Sequence, residues 1–275
     1  MIELRLARLE EETMTNLTAD VKAYIMAEGA ELVGVAPLNR FLEAPVGHRP
    51  EDILPGARSV IVYGFPMLES TFRSPSPRVY VLRYHQLREM SQNSGYKVCH
   101  FLERRGHYAV NLPGTAPMTV EDKILFADFS YRHAAVLAGL GEIGWNQLLV
   151  TPRYGPRVWL MAVITTAELA PDPLLEGIIC LREKCNLCIE QCPQKALTPG
   201  QSTDKSKCAR RPAQFGLSHL LRHLKDVMNE KDPQRREALL LGPTTWGLWM
   251  HLQYGGPEDR CHSCVSACPV GKAQT

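Results

Sequence analysis

The sequence predicts an α+β domain of three layers, followed by a smaller cysteine-rich domain. Three observations carry this expectation. Short apolar runs of strand type, at 32–36, 59–64 and 158–164, are mixed with longer helical periodicities without strict alternation. Pro171 and Pro173 then interrupt the chain. Eight of the nine cysteines fall beyond them. The expected division is therefore 1–172 and 173–275.

Each element has its own signal. Leu17, Val21, Tyr24 and Ile25 recur at helical spacing, and Gly29 stands where such a helix would end. Residues 32–36 read as a short buried strand, 45–55 as a loop, and 59–64 as a strand apolar enough to be buried on both faces. The prolines of 74–77 mark another loop. Tyr80, Tyr84, Leu87, Ser94, Val98, Phe101 and Leu102 share one face of a long helix that should stop near Gly106. A third strand is expected at 107–112 and irregular chain at 113–117. Ser130 is a candidate N-cap for a helix over 131–138. Strands at 148–150 and 158–164 flank a turn at 152–156. A helical insertion is expected at about 212–256, with helices at 215–228 and 237–241 and with Trp246, Trp249 and Tyr254 packing onto a neighbour.

Composition narrows the class. The chain of 275 residues is 45% hydrophobic and 22% charged, the mix of an ordinary globular protein. A formal net charge of +2 calls for neither a nucleic-acid surface nor an acidic partner. No apolar run has the length of a membrane span. Residues 1–14 are charged and amphipathic, with no apolar signal region and no twin-arginine pair, which predicts a cytoplasmic protein. That compartment suits free thiols.

The cysteines form two runs. Cys180, Cys185, Cys188 and Cys192-Pro193 read C-x4-C-x2-C-x3-C-P; Cys208 follows alone; Cys261, Cys264 and Cys268-Pro269 read C-x2-C-x3-C-P. Such spacing suits the corners of an iron–sulfur cube. Disulfides are allowed by count, but a chain of this size needs no staples. Structural zinc uses tetrahedral C-x2-C pairs, which the C-x3-C-P endings and Cys208 match poorly. The runs resemble those of bacterial ferredoxins, where the fourth cysteine of a run ligates the other cluster. The resemblance implies a bacterial-type two-cluster ferredoxin-like domain carrying two [4Fe–4S] clusters. By that crossover Cys180, Cys185, Cys188 and Cys268 hold one, and Cys192, Cys208, Cys261 and Cys264 the other, leaving Cys99 over. The common ferredoxin spacing would place a cysteine at Arg182, so Cys180 must reach across two extra residues, as the C-x4-C of plant-type ferredoxins does.

Gly139-Leu140-Gly141-Glu142-Ile143-Gly144 matches G-x-G-x-x-G, but a helix precedes it and a strand follows, the reverse of a dinucleotide-binding turn. The run reads as a tight loop lacking Cβ atoms, which lets a bulky cofactor or a second backbone approach; the plain alternative is a helix-to-strand turn. His133 beside it and His85 on the long helix are read first as hydrogen-bonded residues and only second as ligands. Asp128 is either a capping carboxylate or a proton donor at a cofactor face. Arg153 and Arg157, flanking Tyr154 and Gly155, either anchor anionic groups or solvate a loop.

Taken together, Pro55-Gly56-Ala57-Arg58-Ser59-Val60-Ile61-Val62, Ala138-Gly139-Leu140-Gly141-Glu142-Ile143-Gly144-Trp145-Asn146 and the order of the two cysteine runs resemble the epoxyqueuosine reductases and their relatives the reductive dehalogenases, over roughly 30–270. The resemblance implies a nitroreductase-like domain that binds cobalamin, fed with electrons by the two clusters. It implies Asp128 as the acid. For such a cofactor the 139–144 loop would offer a surface without Cβ atoms, with His133 beside it and Tyr154, Gly155 and Arg157 forming a second turn linked to it. It also implies a ferredoxin or flavodoxin as donor and a small molecule as substrate. Domains of the nitroreductase kind often pair, which is compatible with a homodimer. Glu142 and Trp145 stand where the family has tryptophan and lysine. The helical repeats that serve tRNA in many epoxyqueuosine reductases have no counterpart before Thr275, so the expected substrate is not a nucleic acid. Two other readings fit the same residues: an electron-transfer protein that reactivates another enzyme's corrinoid, and a flavin-dependent nitroreductase-like enzyme fused to a ferredoxin.

Overall fold

The apolar runs pair with one another. A computed structural model describes residues 2–112, 118–121, 124–209, 217–254 and 261–272. In chain order the elements are α1 (Ile2–Ala27), β1 (Leu32–Pro37), a 3-10 turn (Leu38–Phe41), α2 (Pro50–Ile53), β2 (Ser59–Pro66), α3 (Ser70–Arg73), α4 (Pro77–Glu103), β3 (Ala109–Asn111), β4 (Met118–Glu121), β5 (Ile124–Ala127), α5 (Tyr131–Leu137), β6 (Glu142–Ile143), β7 (Leu149–Val150) and β8 (Val158–Thr165). A second 3-10 turn (Arg182–Lys184) then leads to α6 (Leu187–Glu190), α7 (Lys205–Ala209), α8 (Leu217–Asn229), α9 (Pro233–Leu241), α10 (Pro243–Tyr254) and α11 (Ser263–Ala267). The chain divides into two compact units, one of 1–67, 87–184 and 269–275, the other of 68–86 and 185–268.

In the first unit β1, β2, β8 and β3 form one antiparallel sheet in that order. The register sets Val62 opposite Ala162 and Tyr63 opposite Met161. Alternation along the strands then sends successive residues to opposite faces. Ala36, Val60, Val62, Ala162 and Ile164 pack with Ala134, Ala135 and Ala138 on the α5 side, where Phe41 and Phe129 close the core. On the other face Ser94 Oγ donates to Tyr63 Oη at 3.3 Å, and Trp159 Nε1 donates to Ser91 Oγ at 2.8 Å, both serines lying on α4. α1 lies beside α4: the rings of Tyr24 and Phe101 stack at 4.7 Å, and Lys97 Nζ meets Glu28 Oε2 at 2.6 Å. The result is helices, sheet, helix. β2 is buried along nearly its whole length, as its apolar composition predicts. Each fully buried valine or isoleucine contributes about 1.5–3 kcal/mol. Asp172 ties the end of this core back to β1, accepting from Val35 N at 2.7 Å and Lys22 Nζ at 2.6 Å.

In the second unit α6 packs against α11, and α8, α9 and α10 pack on one another. Asp232 caps α9, its carboxylate accepting from the amides of Gln234 and Arg235 at 2.8 and 3.0 Å, with Pro233 at the first helical position. His223 is buried and meets Thr245 Oγ1 at 2.8 Å, joining α8 to α10. Trp246 and Trp249 are exposed and pack edge-to-face on each other, 5.9 Å apart. No helix among the described residues is long and apolar enough to cross a membrane.

Local expectations differ from the structure at several points. α1 begins fifteen residues before Leu17 in sequence, at Ile2, because helical propensity continues past the periodic stretch. The strand expected at 107–112 shortens to β3, and 113–117 lies outside the described residues. The β4–β5 hairpin and helix α10 had no clear sequence signal. Ser130 holds the N-cap position of α5, but its hydroxyl makes no capping bond; Ser130 Oγ instead meets His133 Nδ1 at 2.7 Å.

Candidate metal centre and cofactor loop

Short helices place most of the thiols. Cys188 lies on α6, with Cys185 just before it and Cys192 just after; Pro193 prevents the helix from continuing. Cys264 lies on α11 between Cys261 and Cys268-Pro269, and Cys208 lies on α7. None of these cysteines is in a disulfide; Cys188 is buried, Cys208 exposed and the others half-buried. The Cys264 thiol is pushed up to about 12, first by burial and then by the thiols of Cys261, Cys208, Cys188 and Cys192. Five sulfurs of the second unit thus share one electrostatic neighbourhood, where ionising one opposes ionising the next. Such a set suits a cationic group that stabilises several thiolates together. Ala196 N donates to Cys192 Sγ at 3.3 Å, the kind of bond that tunes a cluster ligand. Among the described residues no three Cys, His, Asp or Glu side chains converge as ligands of one metal ion. A cube spreads its thiolates over four corners, whereas tetrahedral zinc draws sulfurs to about 2.3 Å from one centre. In this unit the ring of His262, next to Cys261, packs on Tyr80 at 4.4 Å and Phe72 at 6.0 Å. Only the position of His262 inside the second cysteine run could have flagged this contact.

Cys180 belongs to the first unit, beside the glycine loop. That loop is not bare backbone open to a ring. Gly139 has φ +77°, and a Cβ there would sit 2.1 Å from the Pro173 carbonyl oxygen. A Cβ on Gly141 would sit 2.3 Å from the Val150 carbonyl oxygen, and one on Gly144 2.6 Å from Val150 Cγ2 and 3.6 Å from Cys180 Sγ. The glycines admit a second stretch of protein, because Glu142 and Ile143 pair as β6 with Val150 and Leu149 of β7. Leu140 packs against the α5-side core.

Glu142 turns towards the cysteine. Its Oε1 accepts from Ile179 N at 2.7 Å and Cys180 N at 2.5 Å, and its Oε2 meets Arg182 Nη2 at 2.7 Å. Burial raises the affinity of this carboxyl for a proton, but the Cys180 amide, Arg182 and the Ile179 amide outweigh burial and hold it below its ordinary value.

The remaining candidates are dispersed. Asp128 is half-buried in the bend after β5, and its carbonyl lies 3.1 Å from His48 Nδ1. The side chain of His133 is exposed; desolvation, then the charge of Arg132, holds its ring below the usual histidine value. His85 Nε2 is buried with no hydrogen-bond partner among the described residues, and its ring meets Tyr84 edge-on. Tyr154 Oη donates to Glu31 Oε2, which also pairs with Arg153 at 3.6 Å. Arg157 is only 3% exposed and donates from Nη2 to the Val270 carbonyl at 2.6 Å. A Cβ on Gly155 would lie 2.1 Å from that same carbonyl. Arg157 and Gly155 therefore hold the Val270 segment, an interaction 113 residues apart that no local pattern signals.

No protein-family model matches the chain. It is 26% identical over 260 residues to the tetrachloroethene reductive dehalogenase of Desulfitobacterium hafniense, covering 93% of this chain and 39% of that protein. It is 33% identical over 89 residues to the epoxyqueuosine reductase of Bacillus anthracis, covering 32% of this chain and 23% of that protein. Among solved structures, the epoxyqueuosine reductase from Bacillus subtilis superposes with a TM-score of 0.57 at 17% identity, over 94% of this chain and 66% of that one. A reductive dehalogenase, described as suggesting a mechanism for B12-dependent dehalogenation, gives 0.57 at 18% identity, over 86% and 36%. The fold is thus shared with two groups of reductases. The chain is a relative of the tetrachloroethene reductive dehalogenases and the epoxyqueuosine reductases, and it spans about two fifths of the length of the first of these.

Proposed function

We propose that this chain is a cytoplasmic iron–sulfur oxidoreductase that passes electrons through two [4Fe–4S] clusters to a bound corrinoid and reduces a small molecule. The single observation that carries the reading is the pair of cysteine runs, whose central members Cys188 and Cys264 lie on the short helices α6 and α11 that pack on each other. The proposed ligand sets follow the ferredoxin crossover: Cys180, Cys185, Cys188 and Cys268 for one cluster, Cys192, Cys208, Cys261 and Cys264 for the other. Electrons enter singly from a ferredoxin or flavodoxin. From the resemblance to those reductases, 1–172 is proposed as the nitroreductase-like part and 173–275 as the two-cluster ferredoxin-like part.

The corrinoid is supported by the relatives alone. When bound, it supplies a cobalt centre able to deliver electrons to a substrate. The glycine loop does not fit the role of its cradle, since its open positions are filled by Pro173 and Val150. Arg157 is sealed against Val270 and does not offer an anion anchor. Asp128 is half-buried and His133 exposed, and Asp128 is proposed to hold the proton given to the substrate.

Anaerobic titration of cobalamin into protein with intact clusters tests the reading. The expected result is tight binding with the cobalt absorption shifted towards the form lacking its lower base. Co-purifying flavin with no cobalamin binding replaces this reading with the flavin enzyme, and binding of neither leaves an electron carrier.

A further inference from the structure

The C-x4-C spacing leaves a problem at the first cluster: the segment between Cys180 and Cys185 is two residues longer than the common ferredoxin run. A longer loop holds its thiol less firmly unless something else fixes it. In this structure something does. The carboxylate of Glu142, with its side chain 16% exposed, takes the amides of Ile179 and Cys180 on one oxygen and the Arg182 guanidinium on the other. It therefore grips the chain at the cysteine and again two residues later, inside the lengthened stretch. Arg182 holds φ +46°, a left-handed backbone in which a non-glycine residue needs surrounding support. Glu142 itself is fixed by the pairing of β6 with β7.

We propose that Glu142 is the positioning residue for Cys180 and that it holds the potential of the cluster bound there low. The inference rests on the reading of Cys180 as a cluster ligand. Two physical effects set the sign. Amide donors directed at ligand or cluster sulfurs favour the reduced, more negative state and raise the potential. The Ile179 and Cys180 amides are committed to Glu142 and are withheld from sulfur. The carboxylate also balances the Arg182 cation, which alone would favour the reduced state.

The test uses the anaerobic holoprotein, with iron content and an electron paramagnetic resonance redox titration as readouts. Glu142→Gln keeps an oxygen for the two amides and removes the charge opposite Arg182. It should keep the full iron content while one of the two cluster potentials moves in the positive direction. Glu142→Ala removes the grip as well and should lose about half the iron, one cube of two. Cys180→Ala separates the two claims. If it keeps full iron and both signals, Cys180 is not a ligand and the inference falls with that reading. If it loses one cluster while Glu142→Gln leaves both potentials in place, the ligand reading stands and the role of Glu142 is overturned.

Discussion

Asp128 is the residue on which the proposed chemistry turns. A general acid contributes through its proton, so Asp128→Asn should leave clusters and cofactor in place and slow turnover roughly 10²-fold or more. Steady-state rates with a reducible substrate, set beside the iron content, check this. Unchanged turnover removes Asp128 from the mechanism. Cys208 and Cys99 make a contrasting pair. Cys208 is exposed on α7 and is proposed as a ligand of the second cluster, so Cys208→Ala should cost one cluster and spare the other. Cys99 is buried 3.6 Å from Asn111 Oδ1, and burial, then Glu103, pushes its thiol up to about 12. Such a thiol is inert, and Cys99→Ser should leave the iron content unchanged.

At the scale of elements, the β6–β7 pairing explains the glycines better than a bound ring does. Gly141→Ala places a Cβ against the Val150 carbonyl. It should destabilise the fold by about 1–3 kcal/mol. Lower thermal midpoints with and without cobalamin would support this; a midpoint changed only in its presence would return the loop to the cofactor. The helices α6 and α11 give a pH dependence. With its folded value raised from 9.0 to about 12, Cys264 favours the neutral thiol in the metal-free protein. That contribution is complete below pH 9.0 and lost as pH rises through about 12. Iron demands the thiolate, so cluster assembly releases protons and runs against this preference. Reconstitution with iron and sulfide should therefore be more complete at about pH 9 than at about pH 7, by cluster absorbance.

For the whole molecule, the proposal predicts about eight iron atoms per chain on anaerobic purification, because two cubes need eight. About four iron atoms, or zinc without iron, would overturn the two-cluster reading. Much of the molecule could be read from sequence because its signals are local. Apolar runs at 32–36, 59–64 and 158–164 mark strands β1, β2 and β8, and a spaced apolar face marks α4, since burial selects a period of two or of 3.6. The cysteine runs are likewise local spacings, and their resemblance to those of the two groups of reductases is legible in the sequence. Tertiary structure alone decided what distant residues do for one another. Glu142 reaches Cys180 across 38 positions, Arg157 reaches Val270 across 113, and Cys208 on one helix acts on Cys264 on another. Those partnerships depend on strand register and on the path of the chain, and neither leaves a periodic trace in the residues that meet.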